Sequence, residues 1–193
     1  MRPGTPRRPT ARQRALLAEL EALFLAEGFA AFTLDDLAGR LRCSKSTLYA
    51  LAPSKEQLAV RVVTQFFRGA AERIEERIAG IDDAPKLIGE YLAGVAEHLD
   101  RASAGFMRDL AEFGPARDTY QLNSGFAAKR LRQFIDKGVA DGVFREVHAR
   151  LVAEMTGLII EGIQTGVLGR RTEVSDAEAF TALGELLLGG LNK

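Results

Sequence analysis

The chain has 193 residues, 47% hydrophobic and 27% charged, which suits one large domain, or one small domain plus a larger one, with ample apolar residues for a packed core. No apolar run approaches the ~20 residues that cross a bilayer, and the basic start "MRPGTPRRPTARQR" has no apolar stretch of signal-peptide type behind it, so an intracellular, non-membrane protein is expected. One cysteine, Cys43, excludes an internal disulfide framework and a cysteine metal cluster, and the zero net charge hides an asymmetry. Residues 1–68 carry eleven Arg and Lys against six Asp and Glu, whereas residues 69–193 carry fifteen against twenty. A basic first third on an acidic remainder points to one end that meets a polyanion.

Residues 1–9, with Pro3, Pro6 and Pro9 among arginines, read as a basic disordered arm. A first helix starts after Thr10, because "TARQ" is a capping-box pattern, and Leu16, Leu17, Leu20, Leu23 and Phe24 keep helical spacing up to a left-handed stop at Gly28. Thr33 caps a second helix, with Asp36 at the third position and Phe32 and Leu37 placed as a hydrophobic staple. Ser44 caps a third, with Cys43 and Leu48 at the equivalent staple positions, and Cys43 reads as a small buried residue. Ser54 caps a fourth helix through "SKEQ", from about Lys55 to about Ala79. Pro85 suits a first helical turn, and further helical patterns cover about 85–100, 103–113, 118–140, 147–168 and 176–189. No strand alternation and no fixed repeat period is present, so the expected fold is all-α.

The second and third helices are too short to stand alone, since isolated helices below roughly 12–15 residues are marginal in water. Two such helices joined by three residues and braced by longer neighbours make a helix-turn-helix. Its short third helix fits the DNA major groove, about 12 Å wide. Lys45, Ser46, Thr47 and Tyr49 would then face base edges and phosphates, opposite the core residue Leu48.

The stretch "LFLAEGFAAFTLDDLAGRLRCSKSTLYALAPSKEQL" resembles the DNA-binding domain of the tetracycline-repressor (TetR) family of transcriptional regulators. The likeness rests on "LF…GF…T…LA…S…TLY…SKE.L" over about residues 12–60, and beyond it on a helical region of the right length. It implies a helix-turn-helix domain over 10–54, joined by the helix from Lys55 to a ligand-binding and dimerisation domain over 55–193. It further implies that Thr33, Tyr49 and Lys55 contact phosphates, that Lys45 and Ser46 approach bases, and that Thr47 meets base or backbone. Phosphate contacts set register and base-edge contacts specify. The chain departs from the family where "GVS" is here "RCS". Arg42 replaces a glycine at a left-handed turn, although its charge can serve DNA, and Leu51 and Ala52 stand where a histidine and an aromatic are usual.

Beyond the fourth helix, Tyr91, Val95, Phe106, Leu110, Phe113, Leu122, Phe126 and Phe134 gather in one region and suit a mostly apolar ligand pocket, with Glu97, His98, Asn123 and Gln164 as conceivable polar contacts. "MTGLIIEGIQTGVLG" and "FTALGELLLGGL" present more apolar surface than one protomer should leave wet. Leu158, Gly162, Leu183 and Leu187 are the expected core of a two-fold four-helix interface. The expected function is a homodimeric regulator on a palindromic double-stranded operator, a repressor released by an unidentified small apolar ligand, with no metal or other cofactor. A regulator of the same fold controlled by a protein partner or by abundance is the alternative. An all-helical enzyme is remote, because the sequence holds no nucleophile–base pair and no Gly-rich phosphate loop.

Overall fold

The computed structural model describes residues 10–145 and 147–191, so the expected arm over residues 1–9 lies outside the described residues. Ten helices follow in order among the described residues: α1 (Ala11–Glu27), α2 (Leu34–Arg40), α3 (Lys45–Tyr49), α4 (Lys55–Ile78), α5 (Ala84–Leu99), α6 (Ala104–Glu112), α7 (Gly114–Ala140), α8 (Ala149–Gln164), α9 (Val167–Thr172) and α10 (Asp176–Leu191). The fold is all-α, with no strand among these residues. No described helix is long and apolar enough to cross a membrane.

The N-caps sit where the hydroxyl pattern puts them. Thr10 and Thr33 close full capping boxes with Gln13 and Asp36, and the Ser44 and Ser54 side chains accept from the N–H groups of Thr47 and Gln57. Each cap satisfies a backbone donor that a short helix would otherwise leave open. Leu20, Phe24, Leu37, Leu48 and Leu58, from α1 to α4, are all fully buried and hold the two short helices in place. Asp83 caps α5 with Pro85 in its first turn.

Three boundaries differ from the sequence reading. The helix expected from 118 begins at Gly114, since Pro115 is harmless in a first turn. The helix expected over 147–168 ends at Gln164, because Gly166 takes a φ of +67° and breaks the ladder before α9. The last helix runs on to Leu191.

The core is continuous from α1 to α10. α10 packs against α5, α7 against α8, and α4 against both α5 and α7. Gly184 lies against Leu92 in the first of these contacts, with a Cβ there falling at an ordinary 3.5 Å from Leu92 Cδ1. α6 bridges α1 and α7, so it touches both the short-helix end of the molecule and its larger helical body.

Candidate nucleic-acid interface and ligand cavity

The turn between α2 and α3 is a Schellman motif. The Cys43 N–H donates to Ala38 O at 2.9 Å and the Arg42 N–H to Gly39 O at 3.2 Å. This geometry demands a left-handed residue after the helix cap, and Arg42 supplies it with a φ of +48°. The strain that the sequence suggested at Arg42 is present, and the side chain is left exposed with no ionic or hydrogen-bonding partner among the described residues.

On α3, Lys45, Ser46 and Tyr49 are exposed around the buried Leu48, and Thr47 is half-buried. The Ser44 hydroxyl lies 2.7 Å from Ser46 Oγ and 2.8 Å from Thr47 Oγ1. Lys45 Nζ sits 2.7 Å from Asp35 Oδ1, and this carboxylate raises the lysine pKa by hydrogen bond and by charge. Both groups are exposed, so the pair can be exchanged for a stronger anion. Tyr49 is 50% exposed with its ring outward.

Thr33 and Lys55 are more engaged than the sequence suggested. The Thr33 N–H and hydroxyl both donate to Asp36 Oδ2, at 2.9 and 2.6 Å, and these bonds hold the Asp36 carboxyl below its usual pKa. Lys55 Nζ donates to the carbonyls of Ala30 and Phe32 at 2.7 and 2.6 Å, which fastens the start of α4 to the loop before α2. One ammonium hydrogen remains for a phosphate.

A joint that the sequence reading missed links this face to the rest of the chain. Asp109, buried on α6, accepts from the N–H groups of Phe29 and Ala30 at 2.6 and 2.8 Å. The Ser103 N–H donates to Leu25 O at 2.8 Å, and Phe29 packs edge-on against Phe106 and Phe113. Gly28 permits the approach, since its φ is +82° and a Cβ there would fall 2.5 Å from Asp109 Oδ2.

In the helical body, a cavity of about 80 Å³ lies between α4, α5, α7 and α10, walled by Phe67, Tyr91, Val95, His98, Tyr120 and Phe180, with Asn123 and Ser124 as further polar lining. Of the expected apolar pocket residues only Tyr91 and Val95 line it, and of the conceivable polar contacts His98 and Asn123 do. Phe106 and Leu110 belong to α6 and Phe113 stands between α6 and α7, and the rings of Phe106 and Phe113 lie under the α1 end. Leu122 and Phe126, 62% and 63% exposed, point outward from α7. Phe134 meets the other side of Tyr91, with ring centroids 5.5 Å apart. Tyr120 stacks on Phe67 and donates to Asp176 Oδ2 at 2.8 Å, so it separates the cavity from an open groove of about 910 Å³ that contains Gln164. Burial pushes the Asp176 carboxyl up, and burial and Asp176 together push the Tyr120 phenol well above its usual value.

The expected interface residues also divide. Leu183 and Leu187 are only 3% and 8% exposed, because the apolar stripe of α10 is spent on α5 inside the protomer. Gly162 lies against Leu168 of α9. Leu158 is outward, and with Leu151, Met155 and the α10 residue Leu186 it makes four apolar side chains between 54% and 68% exposed.

A short capped helix with an exposed polar face, set by the turn over 41–44 against a second short helix, is the arrangement of a helix-turn-helix motif. Residues 16–62 match the family model of bacterial regulatory proteins of the tetR family. The chain is 32% identical over 102 residues to the HTH-type transcriptional regulator YvaF of Bacillus subtilis (strain 168), covering 52% of this chain and 53% of that protein. It therefore spans about half the length of that relative. It is 27% identical over 154 residues to the HTH-type transcriptional repressor KstR2 of Mycolicibacterium smegmatis (strain ATCC 700084 / mc(2)155), covering 75% and 73% of the two chains. The fold is shared with a protein from Saccharomonospora viridis solved in complex with choline, at TM-score 0.69 and 21% identity over 94% of this chain and 98% of that one. Residues 16–62 therefore carry a helix-turn-helix domain of the tetR type, and the chain shares the helical fold of these structures.

Proposed function

We propose that the protein is a homodimeric repressor, working in the cytoplasm on a palindromic operator and released from it by a small, mostly apolar ligand. It has no catalytic role. The observation that carries this reading is the α6 joint. One buried carboxylate, Asp109, fixes the end of α1 to the body that holds the cavity, so a change in that body reaches the DNA-facing helices without a flexible link. α4 provides a second path, from Phe67 and Ile74 at the cavity to Lys55 at the reading end. The exposed stripe of Leu151, Met155, Leu158 and Leu186 supports a two-fold interface.

A cavity of about 80 Å³ is small beside the roughly 300–1,000 Å³ of ordinary ligand sites. A ligand must therefore widen it, by displacing Tyr120 toward the outer groove or by separating α4 from α7. That requirement makes the cavity a lever, because a ligand shifts an equilibrium only by binding one state better than the other. The four aromatic walls would accept a quaternary ammonium such as the choline bound by the S. viridis protein, but no carboxylate lines the cavity, and an uncharged ligand fits better. The same small volume favours a second reading, a regulator with no small-molecule inducer that is controlled by a protein partner or by abundance.

The test is deletion of the gene with a transcriptional reporter on the promoter nearest to it. A repressor gives increased transcription on deletion. Decreased transcription would make the protein an activator.

A further inference from the structure

The groove on the far side of Tyr120 has the size of an ordinary ligand site. Its volume of about 910 Å³ falls within the roughly 300–1,000 Å³ that such sites occupy. Leu99, Met107 and Ile163 give it apolar walls, and the first turn of α10 brings the carboxylate of Asp176 into its lining. Asp176 Oδ2 accepts from the Tyr120 hydroxyl at 2.8 Å. Its Oδ1 has no hydrogen-bond partner among the described residues and is not sealed from solvent. Asp176 lines this groove and not the inner cavity.

A half-buried carboxylate ordinarily has a cation beside it. Asp176 has only a neutral phenol among the described residues. Burial pushes its carboxyl up, the Tyr120 hydroxyl pulls it part of the way down, and no guanidinium adds to that pull. Arg108, Arg117 and Arg170 do line the groove, together with Asp100 and Glu112. Arg117 and Arg170 instead donate to the carbonyls of Ala111 and Thr165, each at 3.2 Å. The charge on Asp176 is therefore left for a ligand to neutralise, through a charge-assisted hydrogen bond stronger than a neutral one.

We infer that the outer groove is a second ligand site, in which Asp176 Oδ1 anchors the ammonium of a primary or secondary amine whose apolar body lies along Leu99, Met107 and Ile163. This goes beyond the inducer reading and does not depend on it, because Tyr120 stands between the groove and the cavity. An alcohol of the same shape would bond to Oδ1 without neutralising its charge. An anion would be repelled by Asp176, and the three guanidiniums it could meet are all exposed, where ion pairs contribute little.

The experiment uses the full chain with carbon-labelled aspartate, carboxyl NMR, and three probes on one carbon skeleton: isopentylamine, isopentanol and isovalerate. At neutral pH the amine should bind more tightly than the other two. It should also pull the Asp176 carboxyl titration down toward the ordinary range, because a bound cation favours the charged form. In Asp176→Asn, which keeps an acceptor for Tyr120, the preference for amine over alcohol should fall about tenfold. The titration is read on the wild-type chain, so it decides the matter even where the variant does not fold. Equal binding of amine and alcohol, a preference that survives in the variant, or a carboxyl that the amine does not move would each overturn the site. So would an amine that fails to bind at any concentration that leaves the fold intact. All of these outcomes leave the repressor reading standing, since the reporter on gene deletion tests that separately.

Discussion

At the scale of single residues, Arg42 and His98 each carry a structural cost, one in backbone strain and one in the burial of a titratable ring. Arg42 occupies the left-handed position of the Schellman turn, where an L side chain costs about 1–2 kcal/mol. Arg42→Gly should therefore raise stability to unfolding in urea by up to about 1 kcal/mol, after the entropy that glycine adds to the unfolded chain. The same change should flatten the log–log salt dependence of DNA binding by about one unit if the guanidinium meets a phosphate. A variant that gains stability and keeps the wild-type slope would remove Arg42 from the interface. His98 predicts a pH effect with a definite sign. Its folded pKa of about 4 lies below the ordinary histidine value, so the unfolded chain takes up a proton first as the pH falls. Wild-type stability should drop between about pH 6.5 and 4 relative to His98→Phe, and the two pH profiles should run parallel above that window. Thermal unfolding of both proteins across the window measures it. The strain at Arg42 is legible in "RCS", because the turn that needs a left-handed residue is set by adjacent caps. The burial of His98 is not legible, since Arg73 comes from another helix and only the packing of α4 on α5 brings it there.

At the scale of elements, the caps carry the local structure and α6 carries the connection. Thr10, Thr33, Ser44 and Ser54 could be read directly, because a cap is a bond within three residues of sequence. Docking of α6 could not be. Asp109 meets Phe29 and Ala30 from 80 and 79 residues away, and a lone carboxylate in "FMRDLAE" has no local signature of burial. For the same reason the aromatics between 91 and 134 read as one pocket, although helical periodicity does not say which neighbour each face will meet. Phe106 and Phe113 turned to the α1 end, and Phe126 turned to solvent. Asp109→Ala should cost about 3 kcal/mol, because it strands a buried N–H at Phe29 as well as losing charge-assisted bonds. It should also reduce the effect of any inducer on operator affinity. Urea unfolding measures the first expectation, and a cost below about 1 kcal/mol would show that the joint is not tightly made.

At the scale of the whole molecule, the account requires two copies. One reading head spans one half-site, and two heads must be held about one helical turn apart, near 34–36 Å on DNA, or a multiple of it. The outward stripe on α8 and α10 is where that second copy would sit. Leu158→Arg should then yield monomers in sedimentation velocity at micromolar concentration, with the helical content unchanged. Leu187→Arg should instead destabilise the protomer, because Leu187 is buried within it. The existence of an apolar surplus in "LIIEGIQTG" and "FTALGELLLGGL" was legible in the sequence. Which leucines face outward was not, because α10 could have turned either side of its leucine-rich surface to α5. The central claim, a dimeric regulator that reads DNA through α3, is tested most directly by selecting binding sites from random duplex DNA with the wild-type chain and with Lys45→Ala. The account predicts a palindromic consensus with half-sites spaced by one helical turn or a multiple, and a changed base preference within each half-site for the variant. Recovery of no consensus, or of a single unpaired half-site, would contradict it.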